Sequence, residues 1–347
     1  MTEASAVDFF ESACRAYRQA ERAAGGAIEH RYAIAGRTLR LCFAGSALVP
    51  SVAPAMEHLA QPGAAPDADL TVCLWDSRST ATPIPDCPWD WRVQAARADL
   101  RFVENGRVRA AVSVVSGALT MLDAATHWAL YWIPDAGEVP IHERGAPLRA
   151  ALHWWMEVYG CRLVHAAAVG YGRDAVLLAG KGGSGKSTAA LAALTGGWHY
   201  LGDDYCLVAT QGEPRVYSLY NSAKLERAHL ENFPALRSAV RCGSEPCSGK
   251  VLLDLHRYRP ASLVATLPLR ALLLPRVAGR PETAAIPCTA AEALRALAPS
   301  SLLQLPGAGR SGLSAMAELA GKLPCYRLEL GTELPAIPKV MREVLSR

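Results

Sequence analysis

The chain has 347 residues, 51% hydrophobic and 20% charged, with a formal net charge of +4. This much apolar side chain excludes a disordered polypeptide, and the length predicts two domains. The charge is mild and its basic residues are scattered rather than interleaved with aromatics, so nucleic acid is not expected as a partner.

Near the N-terminus, Val7, Phe10, Cys14 and Tyr17 recur at helical spacing and the run stops at Gly25-Gly26, predicting a helix over residues 7–25. The opening Met-Thr-Glu-Ala-Ser lacks the basic flank and apolar core of a signal peptide, and no stretch has the length of a membrane span. A cytoplasmic protein without a membrane partner is therefore expected. From residue 29 to 135 short alternating segments follow: His30 to Ile34, Thr38 to Phe43, Leu70 to Trp75, Val108 to Val115 and Trp128 to Ile133. They read as a mostly antiparallel sheet with turns at Gly36, Gly106 and Gly117. Trp75, Trp89, Trp91 and Trp128 fit its core better than a ligand platform.

Pro-Asp-Ala-Gly and Gly-Ala-Pro interrupt the pattern between Asp135 and Pro147, which places a boundary between an N-terminal β-rich domain, 1–145, and a second domain, 146–347. The second begins with a helix over Leu148 to Tyr159 and strands over Leu163 to Val169 and Ala175 to Ala179. A helix from Lys186 to Leu194 stops at Gly196-Gly197, and strands follow at His199 to Leu201 and Tyr205 to Ala209. Thr289 and Glu292 have capping-box spacing for a helix to about Leu297, with another helix, a strand at Cys325 to Leu330 and a last helix after it.

The ten cysteines mostly stand far apart in apolar surroundings and read as reduced, buried thiols. Cys242 and Cys247 have no histidine or cysteine pair nearby, and zinc is not expected there. Only six of the 36 basic residues are lysines, namely Lys181, Lys186, Lys224, Lys250, Lys322 and Lys339, all after residue 180. Where arginine is the default cation, a lysine can be kept for its compact point charge.

The chemistry concentrates in Gly180-Lys-Gly-Gly-Ser-Gly-Lys-Ser-Thr188, which fits G-x-x-x-x-G-K-[ST] between a predicted strand and helix. Gly180, Gly182, Gly183, Ser184 and Gly185 let successive backbone N–H groups point into one concavity, where a helix N-terminus also favours phosphate. Lys186 would reach the β- and γ-phosphates of a nucleotide, and the Ser187 hydroxyl would bind Mg²⁺, with Thr188 completing the motif. Asp203 and Asp204, adjacent in Leu-Gly-Asp-Asp-Tyr, can take different roles, one toward the metal and one toward an acceptor hydroxyl; a solvated turn is the alternative. His165, in a run of small apolar residues, is either a core histidine or part of the same site.

The stretch Leu163 to Val208 resembles the catalytic core of HPr kinase/phosphorylase and related P-loop serine kinases, whose fold is similar to phosphoenolpyruvate carboxykinase. His165 precedes Lys186 by 21 residues, and Asp203 and Asp204 follow it by 17 and 18, the intervals of that family. The resemblance implies an α/β fold, α+β overall, with a P-loop kinase core of that type behind the mostly antiparallel N-terminal domain. It implies Asp203 as general base, His165 tuning or sharing its proton, and Asp204 with Ser187 on Mg²⁺. The chain departs from those kinases at Gly182 and Thr188 and lacks their C-terminal signature.

More loosely, through Asn221-Ser-Ala-Lys-Leu and the general layout, the whole chain resembles divergent HPr-kinase-like proteins associated with ribosomally made peptides, including lasso peptide kinases that phosphorylate a precursor serine. An ATP- and Mg²⁺-dependent kinase acting on a serine of a peptide or protein is thus expected. Lys224 and Lys250 are candidates to contact nucleotide, with Arg257, Arg259 and Arg276 weaker ones. A nucleotide-dependent switch without an acceptor, a small-alcohol kinase and a carboxykinase are the rival readings. The N-terminal domain would recognise substrate or mediate assembly, and a homo-oligomer stays open.

Overall fold

A computed structural model describes residues 3–61, 63, 67–90, 96–97, 100–241 and 249–347. Two compact units emerge: Met1–Tyr159 with Leu303–Gly307, and Gly160–Leu302 with Ala308–Arg347. The division falls after the helix Arg149–Glu157 rather than before it. That helix packs against the strand Leu119–Asp123, and its Trp154 Nε1 donates to the carbonyl of Pro306 at 2.8 Å. Apolar packing and one long-range hydrogen bond thus hold helix and returning segment in the first unit.

The first unit is an eight-stranded sheet with the helix Glu3–Ala23 against one face. Phe10, Tyr17 and the small residues Ala6, Ala13 and Ala20 form the helix's buried stripe. They meet Cys42, Cys73, Trp75 and Met121 of the sheet. Most of the strand pairings are antiparallel, but Leu70–Asp76 runs parallel to both its neighbours, Arg37–Ala44 and Trp128–Ile133. Gly36, Gly106 and Gly117 all have positive φ at their turns. Trp75 and Trp89 are buried and Trp128 is half-buried, whereas Trp91 lies outside the described residues.

In the second unit Asp174–Ala179 runs antiparallel to Ala166–Tyr171 and parallel to Thr266–Val277, which is parallel in turn to Cys325–Leu330. The sheet is mixed and both faces are covered. Val176 and Leu178 point to a core shared with the helices Lys186–Thr195 and Ala336–Leu345. Ala175, Leu177 and Ala179 point to a second core under Ala290–Gln304 and Gly309–Lys322. That alternation explains why the strand reads as continuously apolar.

The capping box forms as expected at Ala290–Gln304: the Glu292 amide donates to Thr289 Oγ1 at 3.2 Å, and Glu292 Oε2 accepts from the Thr289 amide at 2.9 Å. The helix continues past Leu297 because Leu297, Ala298 and Ser301 keep facing the core. Thr289→Ala should destabilise the unit by about 1 kcal/mol, read as a lowered midpoint in urea unfolding.

The segment Leu163 to Val169 is not one strand. It breaks at His165 into Cys161–Val164, paired with Cys206–Ala209, and Ala166–Tyr171, paired with His199–Gly202 and Asp174–Ala179. No disulfide joins the described cysteines, and Cys242 and Cys247 lie outside them. Among the described residues no helix is long and apolar enough to cross a membrane.

Candidate functional site

The site grows from the end of one buried strand. Asp174–Ala179 delivers the chain to Gly180, the loop turns through Gly183 and Gly185 at φ 77° and 100°, and the helix Lys186–Thr195 starts at once. Glycine supplies those left-handed conformations without strain. Side chains of ordinary size would not fit everywhere: a Cβ on Gly185 would stand 2.3 Å from Leu330 Cδ1, whereas Gly182 and Gly183 face open space. The loop is exposed from Lys181 to Gly183. Gly185→Ala should therefore cost about 2 to 4 kcal/mol through backbone strain and overpacking, measured as a fall in thermal midpoint.

Lys186 is 7% exposed and folds back over the loop, its Nζ donating to the Gly180 carbonyl at 2.7 Å and the Lys181 carbonyl at 3.2 Å. Burial lowers its pKa, and the charges of Asp203 and Asp204 oppose that shift. Ser187 and Thr188 follow in the first helical turn, whose N–H groups lack intrahelical partners. Ser184 Oγ is buried without a hydrogen-bond partner.

The two strands beside the loop both break at the same level. His165 sits at the break between Cys161–Val164 and Ala166–Tyr171; Asp203 and Asp204 sit at that between His199–Gly202 and Cys206–Ala209. Because these segments pair with one another, the breaks coincide and His165 Nε2 comes within 3.9 Å of Asp204 Oδ1. The His165 ring rests against Tyr205, centroids 5.4 Å apart, and its backbone N–H donates to Ser301 Oγ at 2.9 Å.

Lys224 ties the aspartates down from a third direction. It lies on Ser222–Glu226, a strand of a small sheet with Val240–Arg241 and Lys250–Asp254, anchored by Tyr200 Oη donating to the Ser222 carbonyl at 2.8 Å. Its backbone N–H donates to Asp203 Oδ2 at 3.1 Å, and its ammonium pairs with Asp204. The Ser187 hydroxyl is near enough to Asp203 to favour its charged form.

The two carboxyls are thus driven apart. Burial, then the neighbouring Asp204 charge, raise Asp203 to about 7 against the Ser187 hydroxyl and the hydrogen bond from the Lys224 amide. Burial would raise Asp204 as well, but Lys224, His165 and Lys186 together hold it below the usual carboxylate range. Such a split marks one group able to take a proton and one fixed as an anion.

Lys250 pairs with Glu226 at 3.5 Å and is half exposed, and its charge adds to the lowering of the Lys186 pKa. Arg257 is 3.6 Å from Asp254, Arg259 lies over the Tyr258 ring, and Arg276 is exposed. Among the described residues no group of three or more His, Cys, Asp and Glu side chains could hold a metal. Ser187, Asp203 and Asp204 nonetheless offer hard oxygen donors, and Asp203 Oδ1 is buried without a hydrogen-bond partner. That donor set fits Mg²⁺, which takes one or two protein ligands and completes its shell from phosphates and water. The unit's large cavity, about 910 Å³, lies at the other end of the loop helix, around Thr195, Trp198 and Arg342, and contains none of these residues.

Tyr205, Ser301 and the Lys224 amide were not singled out in the sequence. Ser301 is 136 positions from His165, and nothing local marks either as the other's partner.

No family model matches the chain, and no curated protein matches it. Among solved structures it is similar to the HPr(Ser) kinase/phosphatase from Coxiella burnetii, at 12% identity, over 52% of this chain and 95% of that one, with a TM-score of 0.29. A likeness of that degree carries no weight for activity.

Proposed function

We propose that this chain is an ATP-dependent kinase with a P-loop core of the HPr kinase and carboxykinase type, transferring the γ-phosphoryl group to a serine hydroxyl of a peptide or protein. The observation that carries this reading is the convergence of Lys186, Ser187, Asp203 and Asp204 beside an exposed glycine loop, with the carboxyls tuned in opposite directions.

The loop amides and the N-terminus of Lys186–Thr195 would cradle the triphosphate, with Lys186 leaving the Gly180 and Lys181 carbonyls for phosphate oxygens. Ser187 and Asp204 would hold Mg²⁺, which when bound neutralises charge on the β- and γ-phosphates. Asp203 takes the proton of the acceptor hydroxyl as its oxygen bonds to the γ-phosphorus and the bond to the β-phosphate oxygen breaks. His165 shares Asp204's field and positions the pair. Positioning and charge stabilisation supply most of the rate. The first unit would recognise substrate or mediate assembly.

Incubation with Mg·ATP and a library of serine peptides, read by mass spectrometry, tests the reading. Gain of one phosphate on a peptide is the expected result; ATP hydrolysis without any phosphorylated product would instead indicate a nucleotide-driven switch.

A further inference from the structure

The large cavity at the far end of the loop helix takes no part in the machinery above. It measures about 910 Å³, within the roughly 300 to 1,000 Å³ of small-molecule sites, and its lining residues all lie in the second unit. One wall is aromatic: the Tyr171 and Trp198 rings have centroids 5.2 Å apart, and the buried Phe233 lines the same space. Lys339 and Arg342, one turn apart on the helix Ala336–Leu345, line it as well.

Three of these groups can only donate: the indole N–H, the ammonium and the guanidinium. None of them has an acceptor among the described residues. Trp198 is 2% exposed and its N–H makes no hydrogen bond, although a buried indole ordinarily finds a partner. Core packing accounts for the Trp198 ring but not for that N–H. Lys339 makes no ion pair, and the Arg342 guanidinium meets only the Tyr171 ring, 5.7 Å from its centroid. Glu333 also lines the cavity but pairs with neither cation. An exposed lysine alone would mean little; two unpaired cations on one concave wall with a buried, unused donor call for an acceptor from outside the chain.

We infer that this cavity binds a small organic anion, an aromatic ring bearing a carboxylate or phosphate group. The ring lies against Tyr171 and Phe233, and the anionic oxygens accept from Lys339, Arg342 and the Trp198 N–H in charge-assisted hydrogen bonds. The site is separate from that of the nucleotide. It stands at the C-terminal end of Lys186–Thr195, a helix about 15 Å long whose other end is the glycine loop.

Calorimetric titration of the full chain with naphthoate and naphthyl phosphate tests the site, with neutral naphthamide, acetate and inorganic phosphate as the compounds lacking charge or ring. The two ring-bearing anions tell a carboxylate ligand from a phosphate one. At least one of them should bind about 10- to 100-fold more tightly than naphthamide, the factor of one charged hydrogen bond, and more tightly than its ringless counterpart. In the double variant Lys339→Gln, Arg342→Gln, whose side chains are exposed, the advantage over naphthamide should shrink to about threefold or less. Lys186→Ala should leave the affinity unchanged, since it alters only the glycine loop. No saturable binding of either ring-bearing anion, equal binding of naphthamide or of the ringless ions, a charge preference that survives in the double variant, or loss of binding in Lys186→Ala would each overturn the inference. The kinase reading is tested separately, by ATP binding at the loop, and neither result decides the other.

Discussion

Lys186→Ala is expected to weaken ATP binding by about 30- to 1,000-fold and to remove phosphoryl transfer, because it deletes the buried cation that would meet the phosphates. The fold should survive. Burial already disfavours the charge on Lys186, and its present bonds are to two loop carbonyls that water can reach once the ammonium is gone. Titration with a fluorescent ATP analogue, alongside a thermal melt, separates the two effects. Wild-type affinity in this variant would remove the loop from the nucleotide site.

Asp203→Asn should lower phosphoryl transfer by about 10²- to 10⁴-fold, or roughly 3 to 5 kcal/mol of barrier, and leave ATP bound. Asparagine keeps the shape and can still accept from the Lys224 amide, yet it cannot take a proton. Folding should not suffer, since burial already resists the negative charge at this position. Single-turnover transfer and nucleotide binding, measured separately, decide the role. The nearness of Ser187 to Asp203 gives the opposite outcome a structural meaning: equal loss of affinity and turnover would move Asp203 to the metal, with Asp204 as the group facing the acceptor.

The glycine loop was legible because its chemistry is local. Strand, glycine-rich turn and helix start follow one another without a gap, so Gly180 to Thr188 announce themselves by residue type and order. The capping box at Thr289 and Glu292 was legible for the same reason. The break at His165 was not. Leu163 to Val169 has uniform strand character, and the interruption arises only because two halves of that segment pair with different neighbours.

Likewise Lys224 and Lys250 look alike as isolated lysines, but alternation and strand register put one on Asp204 and the other on Glu226.

Residue order alone determined the glycine-loop geometry and the apolar strand that leads into it, since backbone freedom and hydrophobic period act over a few neighbours. Tertiary structure decided which carboxyl keeps its charge. That outcome depends on burial and on charges from strands distant in sequence, and a carboxyl's proton affinity is set by the groups packed around it rather than by those bonded next to it.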